Sequence, residues 1–373
     1  MVGLAGQGSE CAASRRRAWI GAPGERVLPL AAESKECGMK VSVVLVNWNG
    51  LHHLKDCLPS LVAQTYSDFE VILVDNASTD NSVEWAREHY PQVRILCNET
   101  NVGFAAANNQ AIRASAAAYV VTVNNDTRAD PGWLAALVAV AESDPAVGMC
   151  ASKMIFADRP NVINSTGINL DAVGIAWDRR GGELDNHQET EPVEVFGPCA
   201  GAALYRRAML DEIGLFDEDF FAYLEDVDLA WRARLAGWRC LYIPAARVYH
   251  IHSATAVEGS PFKNRLLGRN KVWLIAKNYP LPQLVFYLPL ILLYDLAAVL
   301  FTLIVRRDVS SWQGRLDGLR GLRRIGSKRQ AVQALRQAAP DQGRLWHRHL
   351  SPLSWPWQVS LRYRHLKAPS LEH

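Results

Sequence analysis

Between Val41 and Val123 four short apolar runs alternate with helical patterns, and no other feature constrains the fold as tightly. The runs are Val41 to Asn47, Glu70 to Asp75, Val93 to Leu96 and Tyr119 to Val123. Short continuous apolar runs with β-branched residues suit strands buried on both faces. Leu51, Leu54, Leu58, Leu61 and Val62 mark the first intervening helix, and Val83, Trp85 and Ala86 the second. An Ala-rich segment with Asn108, Asn109 and Ile112 forms the third, and Asp130-Pro131 opens a fourth. Strands and helices in this order predict an α/β fold with a mostly parallel sheet and right-handed crossovers.

In such sheets ligands bind at the carboxyl ends of the strands. Three of these ends are polar: Asn47 and Asn49, Asp75 and Asn76, and Asn124, Asn125 and Asp126. Turn chemistry alone favours Asn and Asp at any one of them; three neighbouring strand ends together point to a site. No GxGxxG follows the first strand and no GxxxxGK[ST] occurs, so a nicotinamide dinucleotide or P-loop nucleotide is not expected. Asp75 suits a base and ribose. A diphosphate would need a cation, and Asp126 is placed to hold Mg²⁺ or Mn²⁺, which take hard oxygen ligands. His250 is a candidate second ligand.

The densest cluster of acidic residues lies between Gly214 and Arg232, where Glu225, Asp226 and Asp228 share the start of a helix. Leu224, Val227, Trp231 and Leu235 give that helix one apolar face. Carboxylates at a helix N-terminus are stabilised by its dipole, so the cluster reads equally as a cap or a site. The aromatic residues Phe221 and Tyr223 beside it supply walls against which a general base could be tuned. From Ala151 to Val195 glycines interrupt short β-like runs, a loop-rich insertion able to shape an acceptor site. The small residues from Gly197 to Ala203 either admit a ligand close to the backbone or pack a tight sheet. Cys240 to Ile243 and Arg247 to Tyr249 read as two further strands.

With 373 residues and 49% hydrophobic content, the chain is long enough for one large domain or two. A net charge of +2 argues against a dedicated nucleic-acid binder. The seven cysteines form no CxxC pair and read as reduced thiols of a cytosolic protein. Residues 1–38 lack an unbroken apolar core and are expected to be disordered or a mis-assigned extension, with Met39 a natural start.

These motifs resemble the family 2 inverting glycosyltransferases of the GT-A fold, and within them the rhamnosyltransferase-like branch. The resemblance rests on Val46 to Gly50, Val74 to Asp80, Asn101 to Phe104 with Asn108 and Asn109, Asn124 to Thr127, and Phe220 to Arg232. His250, Ser253 to Thr255 and Arg269-Asn270 also fit, so that the likeness covers residues 39–280 in the family's order. It implies a GT-A domain that binds a nucleotide-diphosphate sugar through Asn47, Asn49, Asp75, Asn76, Asn101, Gly103, Asn108, Asn124 and Asn125. It makes Asp226, in the pair with Glu225, the catalytic base. Asp126 would be the last acidic position of a DxD motif whose first carboxylate is here Asn124, His250 a second metal contact, and Arg232 a basic residue near the diphosphate. The acceptor implied is a glycan or polyprenyl-linked sugar of cell-surface polysaccharide synthesis.

Residues 284–305 are almost wholly apolar and about long enough to span a bilayer, with Pro289 and Asp295 inside. Arg306, Arg307, Arg315, Arg320, Arg323, Arg324, Lys328 and Arg329 follow, a charge run suited to an anionic leaflet. Residues 281–373 are therefore expected to form a membrane-associated helical region at the cytoplasmic face of the membrane, its apolar helix lying in the interface in preference to crossing. Trp346, Trp355 and Trp357 would sit at headgroup level or pack on the domain. Two other functions compete. A catalytically silent sugar-nucleotide or glycan binder would be expected to lack the base, yet Asp226 is present. A nucleotidyltransferase would carry a Gly-rich, cationic loop after the first strand, which Asn49-Gly50-Leu51-His52 is not.

Overall fold

The computed structural model describes residues 39–251 and 260–338. The expectations for residues 1–38, Cys11, Cys37, His252, Ser253 to Thr255 and the three late tryptophans lie outside the described residues. The first half alternates as the pattern predicts: β1 (Val41–Asn47), α1 (Leu51–Val62), β2 (Phe69–Asp75), α2 (Ser82–His89), β3 (Arg94–Cys97), α3 (Gly103–Ala114), β4 (Tyr119–Asn124), β5 (Thr127–Ala129) and α4 (Trp133–Ser143). Then follow β6 (Val147–Phe156), β7 (Arg159–Ser165), β8 (Ile168–Leu170), β9 (Ala176–Asp178), β10 (Val193–Glu194), β11 (Ala202–Arg206) and α5 (Arg207–Ile213). A 3₁₀ turn at Glu218–Phe220 leads into α6 (Glu225–Leu235), β12 (Arg239–His250), α7 (Pro261–Asn278), α8 (Leu281–Val305), α9 (Ser310–Arg320) and α10 (Leu322–Ala338).

The main sheet runs β10-β12-β6-β11-β4-β1-β2-β3, with β5 added to β12 and β7 to β6. β3, β2, β1 and β4 are parallel, β11 is antiparallel to both neighbours, and β6 and β12 are parallel to each other. The fold is a mixed, mostly parallel GT-A-like sheet flanked by helices. The loop-rich insertion expected from Ala151 begins instead inside β6, a strand buried over its whole length. Its Ser152 and Lys153 hide the apolar pattern, and both are satisfied: Trp133 Nε1 donates to Ser152, and Lys153 pairs with Asp185. The two late strands are one, β12, whose pairing to β6 shifts between Ile243 and Arg247. Pro244, which has no N–H to donate, falls in that irregularity.

α6 is buried on nearly every side, not on one face, because α5, α7 and α10 pack against it and its apolar residues join the main core cluster. Its charged residues survive burial by pairing. Lys277 Nζ lies 2.7 Å from Asp217 and 2.9 Å from Asp228, which also takes Arg232 Nε at 2.9 Å and Asn278 Nδ2 at 2.8 Å. Lys328 of α10 joins Asp217 and Asp219, and Arg324 pairs with Asp219. Helices beyond residue 280 share the domain's core: Ile291, Tyr294, Ile325 and Val332 belong to the same apolar cluster as Val44, Trp231 and Trp273.

Burial would raise the Asp217 carboxyl, but Lys277 and Lys328 outweigh it and hold it well below the usual carboxylate range. Its contribution to stability is therefore present above about pH 4, the unfolded value, and is lost as pH falls through the depressed folded value. Lys277→Met takes one cation from each of two buried carboxylates, leaving Asp217 with Lys328 and Asp228 with Arg232, so urea denaturation at pH 7 should show a loss of about 3 kcal/mol, the low end for a broken buried pair.

Candidate active site

The register of the parallel strands sets the first wall of the site. Asn47 lies opposite Asp75, and Val46 opposite Asn124, so the three polar strand ends stand side by side. They are cross-linked. Asn47 Nδ2 donates to Asp75 Oδ1 (3.0 Å) and to Ser78 Oγ (3.1 Å), while Asn47 Oδ1 accepts from Asn125 Nδ2 (2.8 Å). Asp75 Oδ2 takes the Ser78 N–H at 2.8 Å, and Asn49 Oδ1 the Thr79 N–H at 2.8 Å. Asn76 bonds to the Gly103 carbonyl and accepts from Asn98. Gly50 has no room for a side chain, because a Cβ would overlap Asn125 and Asn47.

These tips form one end of a pocket of about 660 Å³. Asn76, Asn101, Gly103, Asn124 and Asn125 line it, as do Glu225 and Asp226. Asn47 and Asp75 are buried beneath, bracing the tips; the Asp75 carboxylate keeps acceptor capacity beyond its two bonds. Asn49 is exposed at the rim and orders the loop after β2. Asn108 is turned away, its Nδ2 bonded to the Phe104 carbonyl one turn back (2.9 Å). Of the small residues before β11, Cys199, Ala200 and Gly201 face the pocket, whereas Gly197 packs under Ala230. Both uses of that stretch occur.

The second wall depends on a strained turn. Phe221 has φ 64° and ψ −65°, and the Ala222 N–H donates to the Phe220 carbonyl at 2.7 Å. This is the rare positive-φ γ-turn. Tyr223 and Leu224 follow at φ 71° and 67°. Three carbonyls of the turn converge on one donor and offset the strain: buried Asn270 of α7 shares the two hydrogens of its Nδ2 among the oxygens of Phe220 (3.0 Å), Ala222 (2.9 Å) and Tyr223 (2.7 Å). Arg269 donates to the Asp219 and Phe220 carbonyls, and the Ala105 N–H takes the Phe221 oxygen at 3.1 Å. Phe221 then lies against Gly103, whose φ of +86° and lack of Cβ allow the contact.

This turn aims the first residues of α6 at the pocket and divides three carboxylates between two tasks. Asp228, fully buried among Lys277, Arg232 and Asn278, is structural. Asp226 accepts from the Val227 N–H (2.8 Å) and the Ala200 N–H (3.2 Å), which orient its carboxylate. Burial pushes its pKa up to about 6 against those two bonds, and nearby Asp178 adds to the rise. Glu225 is pushed well above the usual carboxylate range by burial and then by the charge of Asp226, so it is the harder of the two to ionise. Asp226 is thus the ionisable member of the pair, poised to accept a proton.

Arg232 does not meet the expectation of a diphosphate contact. It is buried, bonded to Asp228 and to the carbonyls of Ile213, Gly214 and Leu215, and fastens the turn before Asp217. Asp126 and His250 are brought together as expected. β5, directly after the Asn124–Asp126 tip, pairs antiparallel with the end of β12, and Asp126 Oδ1 lies 3.2 Å from His250 Nε2. His250 Nδ1 meets Asn164 Oδ1 at 2.8 Å, which braces the ring on one side while Nε2 faces the Asp126 carboxylate oxygen on the other. That oxygen is buried and makes no hydrogen bond. A carboxylate beside an imidazole that is braced through its second nitrogen is a donor set that suits a metal. Among the described residues no cluster of three or more His, Cys, Asp or Glu gathers there, so a cation would share donors with substrate. Trp177 and Asp178 also line the pocket, with no signal in the sequence to single them out.

Comparison with known proteins agrees with this architecture. The profile described as Glycosyl transferase family 2 matches residues 42–214. An N-acetylglucosaminyl-diphospho-decaprenol L-rhamnosyltransferase of Mycobacterium tuberculosis is 33% identical over 242 residues, 59% of this chain and 78% of that one. An O-antigen biosynthesis protein of Myxococcus xanthus is 29% identical over 229 residues, 58% of this chain and 18% of that one. In three dimensions the chain is similar to a crystal structure of GalNAc-T7 with UDP, GalNAc and Mn²⁺, at TM-score 0.51 and 19% identity over 65% of this chain and 51% of that one. This chain belongs to glycosyltransferase family 2.

Asn270→Ala removes the donor common to three carbonyls of the turn and should lower turnover on the order of 100-fold by misplacing Asp226. Donor affinity, measured by calorimetry, should change far less, because the strand tips keep their own bonds.

Proposed function

We propose that this chain is an inverting transferase that moves a sugar, rhamnose being the first candidate, from a nucleotide-diphosphate donor to a polyprenyl-linked or glycan acceptor. The placement of Asp226 carries the reading: a carboxylate with raised pKa, oriented by two N–H groups, lining the same pocket as the polar strand tips. The similarity to a decaprenol-linked rhamnosyltransferase supports the choice of sugar and acceptor. A silent sugar-nucleotide binder would leave the orientation and tuning of Asp226 without a use.

In this reading Asp226 takes the proton of the acceptor hydroxyl as its oxygen bonds to the anomeric carbon. The bond from that carbon to the diphosphate breaks on the far side, so the configuration inverts. Burial and the neighbouring Asp226 both disfavour charge on Glu225, so the proton from the acceptor goes to Asp226. The Asn and Asp residues of the strand tips hold the nucleotide, and Asp126 with His250 would hold Mg²⁺ or Mn²⁺. The cation, when bound, supplies the positive charge that a leaving diphosphate requires. Trp177 offers a flat apolar face to the acceptor.

Purified protein incubated with a panel of UDP-, GDP- and dTDP-sugars and a polyprenyl-linked acceptor should release one nucleoside diphosphate. Asp226→Asn should cut this by about 10²–10⁴-fold. For the native chain kcat/KM should rise with pH up to about 6, as Asp226 loses its proton, and then level off. Turnover of several donors unaffected by Asp226→Asn would refute the assignment. EDTA should abolish turnover and Mn²⁺ restore it, with the Mn²⁺ requirement shifted to higher concentration by His250→Ala.

A further inference from the structure

We infer that α8 lies in the plane of a membrane, its outer face in the hydrocarbon of one leaflet, and does not cross the bilayer. The polarity of the helix is inverted. Its hydrogen-bonding side chains, Gln283, Tyr287, Tyr294, Asp295 and Thr302, all fall on the stripe turned toward the protein. Asp295 is held there by Lys271 of α7 (3.1 Å) and Arg315 of α9 (2.8 Å). The opposite stripe carries only apolar side chains, among them Val285, Phe286, Leu293, Leu296 and Ile304, each more than half exposed.

That outer face amounts to roughly 1,000 Å², beyond the few hundred Å² a soluble monomer leaves bare. By area alone a second copy could cover it, since a stable dimer buries about 800 Å² per partner. A protein interface, however, has a polar rim and about one hydrogen bond per 100–200 Å². The outer stripe of α8 offers no donor or acceptor side chain over 25 residues. Only hydrocarbon complements such a surface. At its end stand Arg306 and Arg307, cations at the level where lipid phosphates lie.

The direction of the helix follows from its other stripe. Buried or half-buried positions recur from Gln283 through Leu290, Ile291, Tyr294, Ala298 and Val299 to Thr302, so one side touches protein along nearly the full length. A crossing helix would draw Lys271, Arg315 and the polar α9 into the bilayer centre, where each charge costs several kcal/mol. Lying flat, α8 satisfies both stripes. Most of the basic run after it does not serve as a free attraction to anionic lipid. Arg315, Arg320, Arg324 and Lys328 pair with Asp295, Asp317, Asp219 and Asp217, and Arg329 bonds to carbonyls of Ala276 and Tyr279.

The inference is independent of donor chemistry, and its test reads lipid, not turnover. The full chain should float with phosphatidylcholine vesicles as well as with vesicles containing phosphatidylglycerol. Leu293→Glu with Leu300→Glu should lower partitioning at least about tenfold while near-ultraviolet circular dichroism stays native. A fluorescent amino acid placed at 285, 293 or 304 should report one shared, shallow depth with brominated lipids. A deep signal at 293 with the two ends at opposite faces would show a crossing helix and overturn the proposal. So would binding confined to anionic vesicles and abolished by salt, or a dimer in solution that ignores vesicles and is split by the two glutamates.

Discussion

The pocket depends on how the chain passes from Phe220 into α6. Three residues with side chains sit there at positive φ, a run that costs on the order of 1–3 kcal/mol at each position. It persists because the donors of Asn270 and Arg269 reach the carbonyls the turn leaves exposed, and because Gly103 makes room for the Phe221 ring. A regular entry to the helix would carry Glu225 and Asp226 elsewhere. The strained turn brings two carboxylates, Glu225 and Asp226, to the pocket lining while a third, Asp228, is buried among cations on the same helix.

Much of this was legible in the sequence, and the failures have physical causes. β1, β2 and β4 declare themselves because strands buried on both faces need continuous apolar residues, and their polar ends coincide because parallel register aligns them. β6 was hidden, since its buried Ser152 and Lys153 are satisfied by partners 19 and 32 residues away, Trp133 and Asp185. Spacing alone could not separate Asp226 from Asp228; the ammonium that distinguishes them comes from Lys277, 49 residues on. Arg232 is different, because its place four residues after Asp228 on one helix already offered a local ion pair. The five polar residues of α8 likewise share one helical face, a spacing visible in the chain. Nothing in the pattern announced that Asn270 holds the turn, because one side chain serving three distant carbonyls has no periodic signature.

α7 joins these parts. Arg269 and Asn270 hold the strained turn, Lys271 holds Asp295 of α8, and Lys277 and Asn278 hold Asp228. Consecutive residues on a helix point about 100° apart, so positions 270 and 271 reach two different elements from a single turn. The acidic group that would otherwise be stranded in α8 is thus neutralised by the same helix that fixes the approach to Asp226. Rotation or sliding of α7 would break both sets of bonds together. If α8 is seated in lipid as proposed, the membrane-facing helix and the strained turn before Asp226 are held by the same helix, α7, through separate residues.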